Sequence, residues 1–266
     1  MFDSIAGDYD ALNHILSLDV DKIWRKKALK QIVDAPAPAR VLDLACGTGD
    51  FSIAIAKALS RSHKRVGTPI EAHVKAPAKV PVEAQVTSTG FVTGDSGRSD
   101  LMTKGHVTGV DLSEGMLAVM REKVAKAGLT EMISIEEGDG ENLRFPDNTF
   151  DRVTIAFGIR NFEDRPKGLR EMLRVLKPGG RLVILELSRP ENKIIRWFYD
   201  LYFLHILPKV GGKVSGDKAA YAYLPASVAA FPGKKAFMAT MRKAGFRAVT
   251  HKAFTLGICR MYTGEK

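Results

Sequence analysis

The chain has 266 residues, 40 basic against 30 acidic side chains, a net charge of +10, and two cysteines, Cys46 and Cys259. The length suits one substantial α/β domain, the cysteine count excludes a disulfide framework or a clustered zinc site, and the basic balance favours anionic partners such as nucleic acid or membrane headgroups. The two unclustered cysteines fit a reducing cytoplasm, and with no secretory signal pattern at the start and no apolar run of bilayer-spanning length the chain is expected to be soluble or peripheral to a membrane.

Phe2, Ile5, Ala6, Tyr9, Leu12, Ile15 and Leu16, then Ile23, Trp24, Ala28, Leu29 and Ile32, recur at helical spacing and predict a helical cap over residues 1–38. Tyr9, Asn13 and His14 are polar positions inside this apolar pattern, so they either face a substrate or are satisfied by packing and solvent. Pro36 and Pro38 end the cap. Residues 41–45 have the character of a buried parallel strand, and Phe51, Ile53, Ala54, Ile55, Ala58 and Leu59 suit one face of a helix. Between them, Gly47-Thr48-Gly49 makes a strand–turn–helix whose amides favour an electron-rich ligand, with Asp43 or Asp50 placed to accept from an amino or hydroxyl group.

Residues 61–104 lose this periodicity and are rich in Lys, Arg, Pro, Gly, Ser, Thr and Val. They are expected to form a largely flexible insertion, either a basic tether or a tolerated surface loop. Patterning resumes at residues 106–111, a second strand ending in Asp111, and Ser113 is placed to cap a helix running to about residue 127. An acid just past the second strand of an open α/β sheet can accept the hydroxyl protons of a ribose. A third strand begins at Ile133 and leads into Gly138-Asp139-Gly140, where Asp139 can accept from an exocyclic amine such as that of adenine.

The fourth strand, 152–157, is followed by Gly158-Ile159-Arg160-Asn161. An Arg-Asn pair past a core strand suits a site that orients a substrate oxygen, the alternative being a loop in which Arg160 pairs with Asp164. A helix over 166–176 closes on Lys177-Pro178-Gly179-Gly180, and a fifth strand over 181–187 carries Glu186. The aromatic-rich stretch 192–208 reads either as a buried core helix or as part of a lid over 192–232 whose apolar face touches lipid. A helix over 234–244 precedes two terminal strands, 246–251 and 257–263, expected to pair antiparallel. This alternation of strands and helices predicts a parallel, doubly wound sheet.

A nicotinamide-type glycine loop would have a third glycine where Ser52 stands. Gly47-Thr48-Gly49, Asp111 and Asp139-Gly140 at successive strand ends, with Lys177-Pro178-Gly179-Gly180, instead resemble the S-adenosylmethionine site of class I methyltransferases. Phe2-Asp3-Ser4-Ile5-Ala6 with Tyr9-Asp10, residues 41–50, residues 154–161, and Ala220-Tyr221-Ala222-Tyr223-Leu224-Pro225-Ala226-Ser227 are similar to the ubiquinone/menaquinone-biosynthesis C-methyltransferase family. The similarity runs from end to end except over 61–104, where the family brings the glycine turn and the second-strand acid much closer together.

The resemblance implies a single methyltransferase domain over 1–266 with the class I Rossmann-like fold: a mainly parallel seven-stranded sheet, helices on both faces, and an antiparallel C-terminal strand. It implies S-adenosylmethionine as methyl donor, no metal, and C-methylation of a polyprenylated quinol, either demethylmenaquinol to menaquinol or the benzoquinol of ubiquinone synthesis. Asp43, Gly47, Thr48 and Gly49 would line the methionine end, Asp111 the ribose, and Asp139 and Gly140 the adenine. Ala156 stands where some relatives have serine. Arg160 would stabilise a developing phenolate, Asn161 orient it, and Tyr9 or His14 assist proton removal, with 194–207 walling a groove for the prenyl tail. The implied partners are the lipid-soluble quinol and the inner face of a membrane, with room for a homodimer and no nucleic acid. Two other readings stay open: an RNA or small-molecule methyltransferase, motivated by the charge, and a non-catalytic cofactor-binding subunit of a quinone-biosynthesis assembly.

Overall fold

The computed structural model describes residues 20–35, 39–66, 105–202 and 218–266. Tyr9, His14, most of the 1–38 cap, most of the 61–104 insertion and residues 203–217 of the lid lie outside them. Seven strands form one sheet in the order β3-β2-β1-β4-β5-β7-β6. They are β1 (Arg40–Leu44), β2 (His106–Asp111), β3 (Ile133–Glu137), β4 (Phe150–Ala156), β5 (Leu176–Leu187), β6 (Arg247–Phe254) and β7 (Cys259–Glu265). Neighbours among β1 to β5 pair in parallel, and β7 runs antiparallel to both β5 and β6. The expected class I, Rossmann-like sheet is the observed one.

Alternation along the strands builds two cores. Val41, Val107, Val183 and Leu185 face α1 (Val20–Ile32), α2 (Asp50–Val66) and α3 (Glu114–Lys126), against Trp24, Ile32, Phe51, Ile55, Leu117 and Met120. Leu42, Leu44, Val153, Ile155, Leu182 and Ile184 face the other way, against Leu169 and Met172 of α4 (Arg165–Val175) and Phe237 and Met241 of α7 (Lys234–Ala244). A parallel strand covered on both faces needs an apolar residue at nearly every position, which is why these strands read as apolar runs.

The helix starts follow local chemistry. Ser113 Oγ accepts from Met116 N–H at 3.3 Å, so the expected cap opens α3. Asp164 Oδ1 accepts from Lys167 N–H at 2.9 Å and caps α4, which leaves it occupied locally rather than paired with Arg160. The helix before Lys177-Pro178-Gly179-Gly180 ends at Val175, within one residue of the expected end, but these four residues fall within β5. Leu176 already pairs with Phe150 and Arg181 with Arg152, so the four residues between them bulge out of β5, with Gly179 at φ +75°.

Candidate functional site

The carboxyl ends of β1, β2, β3 and β4 surround a cleft of about 320 Å³. Its walls include Gly47 of the glycine turn, Asp111, Asp139 and Gly140, Ala156, and Asn161. Ligands of open α/β sheets bind at this end, where successive loops diverge. Six of the twelve predicted site residues therefore converge on one cavity from sequence separations of more than a hundred residues.

The glycine turn is pinned from two sides. Cys46 N–H donates to Val110 O at 3.1 Å, extending β1 along β2, and Gly47 N–H donates to Asp111 Oδ2 at 2.8 Å. Asp111 Oδ1 accepts from Ser113 N–H at 2.9 Å, so each carboxylate oxygen is fixed by one backbone amide. Gly49 lies at φ +83°, and a Cβ there would stand 2.4 Å from Met120 Cγ, which supports the turn from below. Only glycine satisfies both that backbone and that approach. Cys46 Sγ also rests against Met120 Sδ at 3.5 Å, and burial pushes its thiol well above the usual range, so this cysteine packs rather than reacts.

Across the cleft, Asp139 Oδ1 accepts from Glu141 N–H at 2.8 Å and is held in its own turn. A Cβ on Gly140 would come within 2.5 Å of Phe162 Cζ, and Gly168 of α4 leaves equal room for the same ring. Phe162 thus fills a slot between two glycines and forms one wall of the cleft. Ala45 and Phe157, directly beyond β1 and β4, both have positive φ (47° and 62°) and both line the cleft. Such conformations cost about 1–3 kcal/mol each and gather where a ligand must be approached closely.

Asp43, Thr48 and Gly49 support the cleft without lining it. Asp43 is 1% exposed and accepts from Ser52 Oγ at 2.6 Å. Burial raises its pKa to about 7, against the lowering effects of the Ser52 hydrogen bond and of Arg25, while Asp111 pushes it up further. Thr48 Oγ1 accepts from Lys123 Nζ at 3.2 Å, tying the turn to α3.

Arg160 and Asn161 lie in a short 3₁₀ turn (Ile159–Asn161) past β4, and the structure separates them. Asn161 lines the cleft and its Oδ1 accepts from the Tyr223 hydroxyl at 2.9 Å. Arg160 is 8% exposed and does not line it. Its Nη1 meets Glu186 Oε1 at 3.1 Å and also donates to Phe157 O, while its Nε donates to Ser227 Oγ at 3.3 Å. Its backbone N–H donates to Glu186 Oε2 at 3.1 Å. The guanidinium expected to face a phenolate is therefore spent on a fully buried carboxylate behind the cleft, and the expected alternative partner, Asp164, is not used.

Tyr223 and Ser227 lie four residues apart on α6 (Lys218–Ala230), so one helix face grips both members of the Arg-Asn turn. On the other side, Trp24 of α1 packs 6.2 Å from the Phe157 ring and Arg25 sits 5.4 Å over it. The apolar walls Leu112, Met116 and Phe162 were given no role from the sequence, and Phe157, Glu186 and Ser227 were named only as members of a motif or strand. The 154–161 motif contains Phe157, and the Ala220–Ser227 motif contains both Tyr223 and Ser227.

The 192–208 stretch opens with α5 (Lys193–Leu201), capped by Asn192. Of its large side chains only Tyr199 is buried, so it is not the core helix that one reading expected.

A mainly parallel sheet with an antiparallel final strand, and a cleft at the carboxyl ends of its parallel strands, is a fold of the class I methyltransferase type. Comparison with known proteins narrows this. The sequence model of the ubiE/COQ5 methyltransferase family matches residues 1–266, and the chain belongs to that family. It is 43% identical over its full length to the ubiquinone/menaquinone biosynthesis C-methyltransferase UbiE of Geobacter sulfurreducens, covering 87% of that protein. It is 39% identical over its full length to the demethylmenaquinone methyltransferase of Bacteroides fragilis, covering 91%. In fold it is similar to a SAM-dependent methyltransferase from Aquifex aeolicus, with a TM-score of 0.53, 19% identity, and 90% of this chain matched to 88% of that one.

Proposed function

We propose that this protein transfers a methyl group from S-adenosylmethionine to a ring carbon of a polyprenylated quinol, converting demethylmenaquinol to menaquinol. The observation that carries the reading is that the Asp111 and Asp139 carboxylates and the Asn161 amide share one cleft, in a chain of this family. The names of the two relatives supply the substrate class.

The residues present fit the donor. The cleft volume lies in the range of cofactor sites. Asp111, locked by the Gly47 and Ser113 amides, suits the hydroxyls of a ribose, and Asp139 suits an exocyclic amine. Leu112 and Phe162 present apolar sides suited to a flat base. When bound, the sulfonium supplies an electrophilic methyl group that a ring carbon attacks in line once a neighbouring hydroxyl has lost its proton.

The protein has to favour that phenolate, align it and exclude water. Asn161 is assigned the contact with the quinol oxygen, because it lines the cleft and its amide is oriented by Tyr223. Arg160 is assigned a positioning role rather than the direct contact read from the sequence, because Glu186 neutralises it and it holds the Phe157 carbonyl. Proton removal is assigned to Tyr9 or His14 through water, on their polar character within an apolar segment. The polyprenyl tail is lipid-soluble, so the reaction takes place at the edge of a membrane, and no helix among the described residues is long and apolar enough to cross one.

The test is a reaction of the purified full chain with S-adenosylmethionine and reduced demethylmenaquinone in detergent, with a demethylated benzoquinol in parallel, read by mass spectrometry. A naphthoquinol product heavier by one methylene is expected. Product from the benzoquinol alone would replace the substrate, and no product from either would overturn the reading and favour a non-catalytic subunit.

A further inference from the structure

On α5, Ile194, Trp197, Phe198 and Leu201 are 70%, 61%, 60% and 40% exposed. They are spaced i, i+3, i+4, i+7 and so form one stripe down one face of the helix. They make up most of the large apolar side chains exposed among the described residues, and Trp197 and Phe198 stack edge to face at 4.8 Å. The opposite face is anchored: Tyr199 is buried, Arg189 pairs with Asp200, and Arg196 Nε donates to Pro190 O at 2.8 Å. The stripe is therefore a fixed feature of a capped and tethered helix. A continuous apolar face of this kind marks a docking surface.

The surroundings of the stripe are basic. Lys193 is exposed at the start of the helix and Arg189 just before it, and the partly exposed Arg196 and Lys234 lie beside them, Lys234 reaching Glu191 at 2.7 Å. Among the described residues the ion pairs of these four cations are with two acids, Glu191 and Asp200. A second copy of the chain would bring the same basic rim against itself, in a protein of net charge +10. Anionic headgroups complement that rim, while the acyl boundary takes up a tryptophan-bearing apolar face. We infer that α5 is a membrane-docking helix that lies in the plane of an anionic phospholipid surface, with Ile194, Trp197, Phe198 and Leu201 inserted and the surrounding Lys and Arg side chains on the headgroups. The inference does not rest on the quinol reading, since it uses only this surface.

The chain has two tryptophans, and Trp24 is 5% exposed within the core, so a lipid-induced change in emission reports Trp197. The full chain, without donor or quinol, is mixed with phosphatidylcholine vesicles that contain or lack phosphatidylglycerol, and emission, quenching by bromine-labelled acyl chains and co-sedimentation are followed. Expected are a blue shift, quenching and co-sedimentation with the phosphatidylglycerol vesicles, all weakened by salt. Trp197→Phe removes the shift but keeps sedimentation. Ile194→Gln with Phe198→Gln, both on the surface, lowers partitioning about tenfold or more, and Lys193→Glu lowers it for the anionic vesicles. Lack of binding at low salt overturns the proposal, as does binding that the Ile194→Gln/Phe198→Gln pair leaves unchanged. Sedimentation velocity showing a dimer that this pair dissolves, without lipid binding, assigns the stripe to a second copy instead. Because no quinol is present, failure here is separate from failure of methyl transfer.

Discussion

The Tyr223 hydroxyl donates to Asn161 Oδ1 at 2.9 Å, joining α6 to the one polar side chain of the Arg-Asn turn that lines the cleft. Accepting this bond turns the Asn161 amide so that its NH₂ end remains for a substrate oxygen. Tyr223→Phe keeps the ring and removes only the donor. It is expected to lower kcat about fivefold, for about 1 kcal/mol of lost orientation, with donor affinity unchanged. Steady-state kinetics alongside calorimetric titration of S-adenosylmethionine checks this; an unchanged kcat removes Tyr223 from the site.

Arg160 and Glu186 form an ion pair in which both side chains are almost wholly buried, at 7% and 0% exposure. Removing one partner strands the other charge, so Glu186→Ala is expected to cost about 3–5 kcal/mol. Glu186→Gln, which keeps the shape and can still accept from Arg160, should cost less and leave a folded enzyme with reduced turnover. Denaturant melts of both variants decide. Equal, small losses would mean that the pair does not hold the turn.

Phe162 sits between Gly140 and Gly168, with no space for a Cβ on either side. Gly140→Ala must push the ring out of its slot and into the cleft. The strain is expected to be about 1–3 kcal/mol and to appear in donor binding, weakening Kd roughly tenfold or more. Titration of the variant with S-adenosylmethionine, next to a thermal melt, separates a blocked cleft from a general loss of fold.

Asp43 in the folded protein holds its proton to about pH 7, whereas its ordinary value is 3.8. Between these values the folded state binds a proton that the unfolded chain has released. Stability from this group is therefore highest below pH 4, falls as pH rises toward 7, and is level above it. Asp43→Asn, whose side-chain oxygen can still accept from Ser52, should flatten that slope and stabilise the protein at pH 8 relative to the parent. Chemical denaturation at pH 5, 6, 7 and 8 measures it, and parallel curves for the two proteins would contradict the buried, protonated carboxyl.

Much of the site was legible locally because its parts are backbone devices. The strand–turn–helix around Gly47, the Ser113 cap and the positions of Asp111 and Asp139 past their strands follow from residues within a few positions of one another and lie where expected, while the contacts that pin the glycine turn come from Val110, Asp111 and Met120. The alternation of apolar runs and helical patterns likewise dictated the order of elements and the doubly wound sheet, since a strand covered on both faces must be apolar throughout.

Long-range choices were settled only by the tertiary structure. An arginine beside an asparagine carries no local sign of which one meets a ligand, and Arg160 turned to Glu186, 26 positions away on the neighbouring strand, and to Ser227 on α6, leaving Asn161 in the cleft. The apolar pattern of residues 194–201 suited a core helix or a surface one equally well, because periodicity defines a face but not what covers it. The sequence by itself determined the sheet, the glycine turn and the acids at its strand ends. Packing between distant elements decided which side chains of the Arg-Asn turn and of α5 face the protein and which face outward.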